Sequence, residues 1–161
     1  MYQKIIEYAE ALDKISRERR RDFHRYPETA WLEMRTSAVI AKVLTELGYE
    51  VLTGKDVCLE SSRLGVPSSE ELKEHAERAL LQGAPAEYLT EEMRAGFTGV
   101  IGILRCGEGP VTALRFDIDA LGLTEDENVN HRPFAEGFAS RNPGMMHGCG
   151  HDGHAAIGLG V

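Results

Sequence analysis

Ile5, Ile6, Ala9, Leu12 and Ile15 recur at intervals of three and four, the repeat of one helix face. The spacing predicts an amphipathic helix from residue 2 to about residue 26, which Pro27 ends. A second helix is expected from Thr36 or Ser37 to Leu47, burying Val39, Ile40, Val43, Leu44 and Leu47, with Gly48 at its C-terminal cap. Tyr49 to Leu52 predicts a short strand. Ser68 stands three residues before Glu71, a capping box that opens a third helix ending near Gln82-Gly83. A short helix follows over Ala86 to Arg94. Both helices are rich in charge, so the segment from about 54 to 96 is expected as a helical insertion on the domain surface rather than a core layer. From Gly99 the pattern changes. Val100 to Leu104 and Val111 to Phe116 predict two strands, and the turn Cys106-Gly107-Glu108-Gly109-Pro110 between them predicts a hairpin. Helices followed by strands and a glycine-rich close indicate an α/β domain.

Composition narrows the function classes. The 161 residues carry 18 Lys plus Arg against 26 Asp plus Glu, a formal charge of −8, which lacks the basic footprint of a nucleic-acid binder. The one basic cluster, Arg17, Arg19, Arg20, Arg21 and Arg25, has Glu18 and Asp22 interleaved and is expected as a solvated, salt-bridged helix face. No segment has the make-up of a signal peptide or the length of a membrane span. Cys58, Cys106 and Cys149 are odd in number and far apart, which does not form a disulfide framework. The expected setting is therefore cytoplasmic, with reduced thiols and no membrane partner.

The chemistry concentrates in one run, His147-Gly148-Cys149-Gly150-His151-Asp152-Gly153-His154. Three imidazoles, a thiol and a carboxylate in eight positions form the donor set of a transition-metal site. If the backbone is extended, Cys149 and His151 point the same way, and the glycine between them leaves room for an ion. His154 lies one helical turn past His151 and could face the same point. His147 and His154 are expected as supporting residues rather than ligands. A second constellation, Asp117-Ile118-Asp119, ends the last predicted strand. Alternation puts both carboxylates on one face, where Asp119 could orient a metal-bound histidine. Glycines 96, 99 and 102 lack the context of a phosphate loop, and no serine stands in a nucleophile elbow. Cys149 as a covalent nucleophile stays open. So does a small non-catalytic module that closes His147, Cys149, His151 and His154 around one ion.

The segments FDIDALGLTED and HRPFAEGFASRNPGMMHGCGHDGHAAIGLG, with the opening RRRDFHRYPETAWLEMRTSAVIAKVLTELGYEV, resemble the metal-dependent amidohydrolases that include hippurate hydrolase and the plant auxin-conjugate hydrolases. ESSRLGVPSSEEL, LLQGAPAEYL and GFTGVIGIL are similar to that family's aminobenzoyl-glutamate-hydrolysing branch. The resemblance implies the N-terminal part of a mixed-sheet, helix-covered, zinc-peptidase-like catalytic domain. It implies a two-metal site, commonly manganese with zinc as the alternative, in which Cys149 and His151 stand at the first two ligand positions. It also implies hydrolysis of an N-acyl amino acid, p-aminobenzoyl-glutamate giving p-aminobenzoate and glutamate, and a homo-oligomer or a related second subunit. The glutamate pair, further histidines and dimerisation domain of the family have no counterpart in residues 1–161. The 161 residues by themselves are accordingly expected to be a partial catalytic domain without hydrolase activity.

Overall fold

In the computed structural model, which describes residues 2–161, helix α1 runs Tyr2–Arg25 and ends at the predicted proline. Its apolar stripe does not make a core. Ile5, Ile6 and Ile15 are 57%, 51% and 41% exposed, and only Phe23 and His24, in the last two turns, are buried. The chain forms two compact units, one of residues up to Pro27 together with Leu114–Val161, the other of Glu28–Ala113.

In the unit Glu28–Ala113, helix α2 spans Met34–Glu46, starting two residues earlier than the sequence suggested. A distant carboxylate explains the early start. Glu28 is fully buried; its Oε1 accepts from the Arg35 amide (2.9 Å), and its Oε2 from the Thr36 amide (2.8 Å) and hydroxyl (2.9 Å). It thereby satisfies first-turn N–H groups that no local cap reaches. The buried face is Met34, Ala38, Ile40 and Ala41, with Val39, Val43 and Leu44 half-buried. Leu47, expected inside, is 55% exposed. Gly48 takes φ +85 past the helix end, a left-handed conformation that glycine adopts without penalty.

Helix α3, Ser69–Leu81, is capped as expected, with the Ser68 hydroxyl accepting from the Glu71 amide. The short helix α4 occupies only Glu91–Arg94, because Thr90 caps it and the Pro85 region forms turns instead. These helices are not a surface addition. Leu72, Ala76, Ala79, Ala84, Leu89 and Met93 join Leu32, Met34, Ala38 and Ala41 in one buried cluster. The charges that suggested a surface insertion occupy only the outward faces of α3 and α4; small apolar residues line the inner ones.

The hairpin expectation fails. Strand β2, Val100–Ile103, pairs antiparallel with β1, Glu50–Thr53, in the register Glu50↔Ile103 to Thr53↔Val100. Residues 111–116 form no strand, and Val111 and Leu114 are 95% and 61% exposed. The turn glycines 107 and 109 adopt positive φ but do not fold the chain back into a ladder. Among the described residues, the segment 111–116 has no sheet partner.

In the other unit, α1 packs on helix α6, His151–Gly158, through Phe23, Ala155, Ala156 and Leu159. The short helix α5, Arg132–Ala135, and a lone bridge between Leu121 and Met146 hold the intervening loops. The arginine cluster is not a free solvated face. Arg19 donates to the Leu159 carbonyl at the α6 C-terminus (3.1 Å), Arg20 to Asp152 (3.2 Å), Arg21 to Glu136 (2.5 Å) and Arg25 to the Gly137 carbonyl (3.1 Å). Arg17 alone stays on its own helix, paired with Asp13.

A candidate metal centre at the start of helix α6

Gly150 turns the chain into α6 with φ +96, ψ +16. A β-carbon there would strain a left-handed backbone, so glycine is the residue this entry suits. The turn also removes the premise behind the Cys149–His151 expectation. Residues i and i+2 share a side only in extended chain, and here His151 is already the first helical residue. Cys149 is exposed on the loop ahead of it.

The donors that converge are Asp117, His151 and His154. One helical turn brings the rings of His151 and His154 to 5.1 Å between centroids. The Asp117 Oδ2 lies 4.0 Å from Nε2 of His151 and 4.0 Å from Nδ1 of His154. Those separations are too long for hydrogen bonds, yet short enough for one ion to touch both atoms of a pair at ~2.0–2.2 Å. Neither Cys149 nor His147 belongs to this group among the described residues.

Asp119 occupies its expected place. Nδ1 of His151 lies 2.9 Å from the Asp119 carbonyl oxygen and 3.0 Å from its Oδ1. A carbonyl only accepts, so Nδ1 carries the proton and Nε2 keeps its lone pair facing Asp117. This carboxylate–imidazole arrangement orients a histidine for a cation. The donor set, with a free imidazole nitrogen and an adjacent carboxylate, suits a divalent ion.

Behind the ligand face lies a network that the sequence did not reveal. Asp152, fully buried, accepts from the Gly153 amide (2.8 Å), from Arg20 Nε and, at Oδ2, from Nδ1 of His24 (2.9 Å). Nε2 of His24 donates to Glu125 Oε1 (2.9 Å), which also meets Nε2 of His131 (2.8 Å). Glu125 Oε2 accepts the Ser140 amide (2.5 Å). Burial disfavours charge on His24, but bonds to the Asp152 and Glu125 carboxylates outweigh it and raise its pKa above the ordinary value. Burial likewise pushes Asp152 and Glu125 upward, and the donors around them win, holding both carboxyls below the usual range. His147 is 5% exposed with neither ring nitrogen hydrogen-bonded, and burial lowers its pKa to about 4. It is a neutral imidazole beneath the site. His24 was invisible from sequence because a single histidine in a run of arginines shows no period. Its partners sit more than a hundred positions away.

Residues 113–161, which carry every donor of this centre, match peptidase family M20/M25/M40, and that segment belongs to the family. Over 143 residues the chain is 51% identical to the A chain of p-aminobenzoyl-glutamate hydrolase from Escherichia coli (strain K12), covering 88% of this chain and 33% of that protein. It is 50% identical to indole-3-acetyl-aspartic acid hydrolase of Enterobacter agglomerans, with the same coverage of both chains. A crystal structure of an aminobenzoyl-glutamate utilization protein from Klebsiella pneumoniae superimposes with a TM-score of 0.73 at 36% identity, covering 95% of this chain and 32% of that one. The architecture is therefore part of an M20 peptidase fold. The chain spans about a third of the length of these relatives.

Proposed function

We propose that this chain forms one wall of a divalent-metal centre in an amidohydrolase whose complete form cleaves the amide of an N-acylated acidic amino acid. The carrying observation is the placement of Asp117 Oδ2 4.0 Å from both His151 Nε2 and His154 Nδ1, while Asp119 engages the other nitrogen of His151. A divalent ion held there supplies Lewis acidity toward a carbonyl and toward water. Asp119 fixes the tautomer of His151 and keeps Nε2 available. Asp117 contributes the anionic donor, and His154 the second imidazole. Cys149, on the exposed loop before α6, is assigned as a further ligand, on the softness of its thiolate and the family resemblance. Manganese is the proposed ion, since carboxylate donors suit it; a bound Cys149 would favour zinc. The complete enzyme holds two ions, and a glutamate general base from outside these residues takes the proton of the attacking water.

The substrate reading rests on the relatives. p-Aminobenzoyl-glutamate and indole-3-acetyl-aspartic acid, the compounds in two of their names, are both amides of dicarboxylic amino acids. We assign p-aminobenzoyl-glutamate, the compound also named for the relative from Haemophilus influenzae, 41% identical. A second, related subunit fits the Escherichia coli relative, whose name makes it one lettered subunit of its hydrolase. Three free cysteines fit a reducing cytoplasm. Among the described residues no helix is long and apolar enough to cross a membrane.

The test is hydrolysis by the complete protein loaded with Mn2+. Release of p-aminobenzoate with a kcat/KM at least ~10-fold above that for indole-3-acetyl-aspartate is expected, and chelation should abolish it. The reverse preference would move the assignment to the aspartate conjugate; turnover of neither would overturn it. At the site, His151→Ala should weaken Co2+ binding more than ~10-fold. A thiolate-to-cobalt charge-transfer band that vanishes in Cys149→Ser would identify Cys149 as a ligand.

A further inference from the structure

The geometry points to His24 as a positioning residue of the metal centre, acting through Asp152 to set the rotation of helix α6; the inference rests on the metal reading proposed for that centre. Asp152 lies between His151 and His154 in sequence and faces the opposite way, into the protein, where it is fully buried. One of its oxygens holds the Gly153 amide in the first turn of α6, and the other is held by His24 of α1 at 2.9 Å and by Arg20 at 3.2 Å. Of these two clamps only His24 is rigid and enclosed. Its side chain is 6% exposed, against 59% for Arg20.

His24 is in turn fixed at its other nitrogen by Glu125, 2.9 Å away, and Glu125 by His131 and the Ser140 amide. Phe138 packs edge-on against the same ring, with 5.6 Å between centroids. The imidazole therefore has no freedom to follow a turning helix. In an α-helix each residue is offset by about 100° from the next, so a small rotation of α6 carries both histidine rings away from Asp117 together. The Asp152–His24 contact is the pin that prevents it. The raised pKa of His24 agrees with an imidazolium donating from both nitrogens to two carboxylates.

Two near-isosteric replacements separate positioning from bulk stability. Asn places its amide NH2 where Nδ1 of histidine lies, and Gln places its own where Nε2 lies. His24→Asn keeps the bond to Asp152 and loses that to Glu125; His24→Gln does the reverse. Made in the complete protein, both should lower the unfolding temperature of the metal-free form to a similar extent. Only His24→Gln should weaken Co2+ binding, by ~10-fold or more, with His24→Asn within ~3-fold of the unmodified protein. The imidazole nitrogen resonances of His151 and His154 in the metal-free protein should shift in His24→Gln and stay in His24→Asn. If His24→Gln fails to fold, His24→Ala, whose vacated space lets water serve both carboxylates, is compared with His24→Asn in the same way. Equal Co2+ affinities in the variants keeping and lacking the Asp152 bond, or unmoved His151 and His154 resonances, would overturn the assignment. If even the unmodified protein binds no Co2+, the metal reading fails by itself, and the resonances alone decide the role of His24.

Discussion

At Asp119 a single residue offers two acceptors to one nitrogen, its carbonyl and its carboxylate. Removing the carboxylate leaves the carbonyl in place, so the tautomer of His151 survives while its orientation loosens. Asp119→Ala should therefore weaken Co2+ affinity about 10-fold, read by competition titration, with little change in the metal-free unfolding temperature. His75 makes a pH prediction of a different kind. Its Nδ1 accepts from Arg78 (2.7 Å), and burial, with the Arg78 charge added, lowers its pKa to about 4 from 6.5. The unfolded chain thus binds the proton first, and stability is lost as pH falls from about 6.5 to about 4. His75→Gln, neutral throughout, should flatten that slope in urea titrations across the window. His24 carries the opposite sign. Its raised pKa gives stability that is full below 6.5 and lost as pH rises through the folded value.

At the scale of elements, the entry to α6 is where local sequence and chemistry meet. Gly150 at φ +96 has open space where a β-carbon would stand, so an alanine there meets strain rather than a clash. Gly150→Ala should lower stability by ~1–2 kcal/mol in chemical denaturation and loosen metal binding with it. Gly158, at the other end of α6, has the contrary problem: a β-carbon would come within 2.7 Å of the Phe116 ring. Gly158→Ala should cost ~1–3 kcal/mol through overpacking, whatever its gain in helix propensity. The helices, both caps of α3 and the start of α6 were legible because each is written in a local period or a turn residue. The arginine clamp between α1 and α6 was not. Charges spaced along a helix look alike whether they meet water or Leu159 and Asp152, residues far off in the chain.

Across the whole molecule, the three converging donors have no glutamate among them within the described residues, and the chain spans about a third of its relatives' length. The 161-residue polypeptide by itself should show no measurable turnover of p-aminobenzoyl-glutamate, while retaining a Co2+ site. Turnover at the rate of the complete protein would refute a general base supplied from outside these residues. The metal-rich run, the capping signals and the family likeness follow from residue identity and short-range spacing, which a sequence carries in full. Asp119 was found the same way, as a carboxylate in alternation near a histidine-rich turn. Tertiary structure alone decided three further matters. It paired β1 with β2 rather than making a hairpin, because strand pairing depends on which backbone edges meet. It drew the inner faces of α3 and α4 into a core that their charge content concealed. It set Asp117 and His154, rather than Cys149, beside His151, because a left-handed glycine, not an extended strand, sets the direction of each donor.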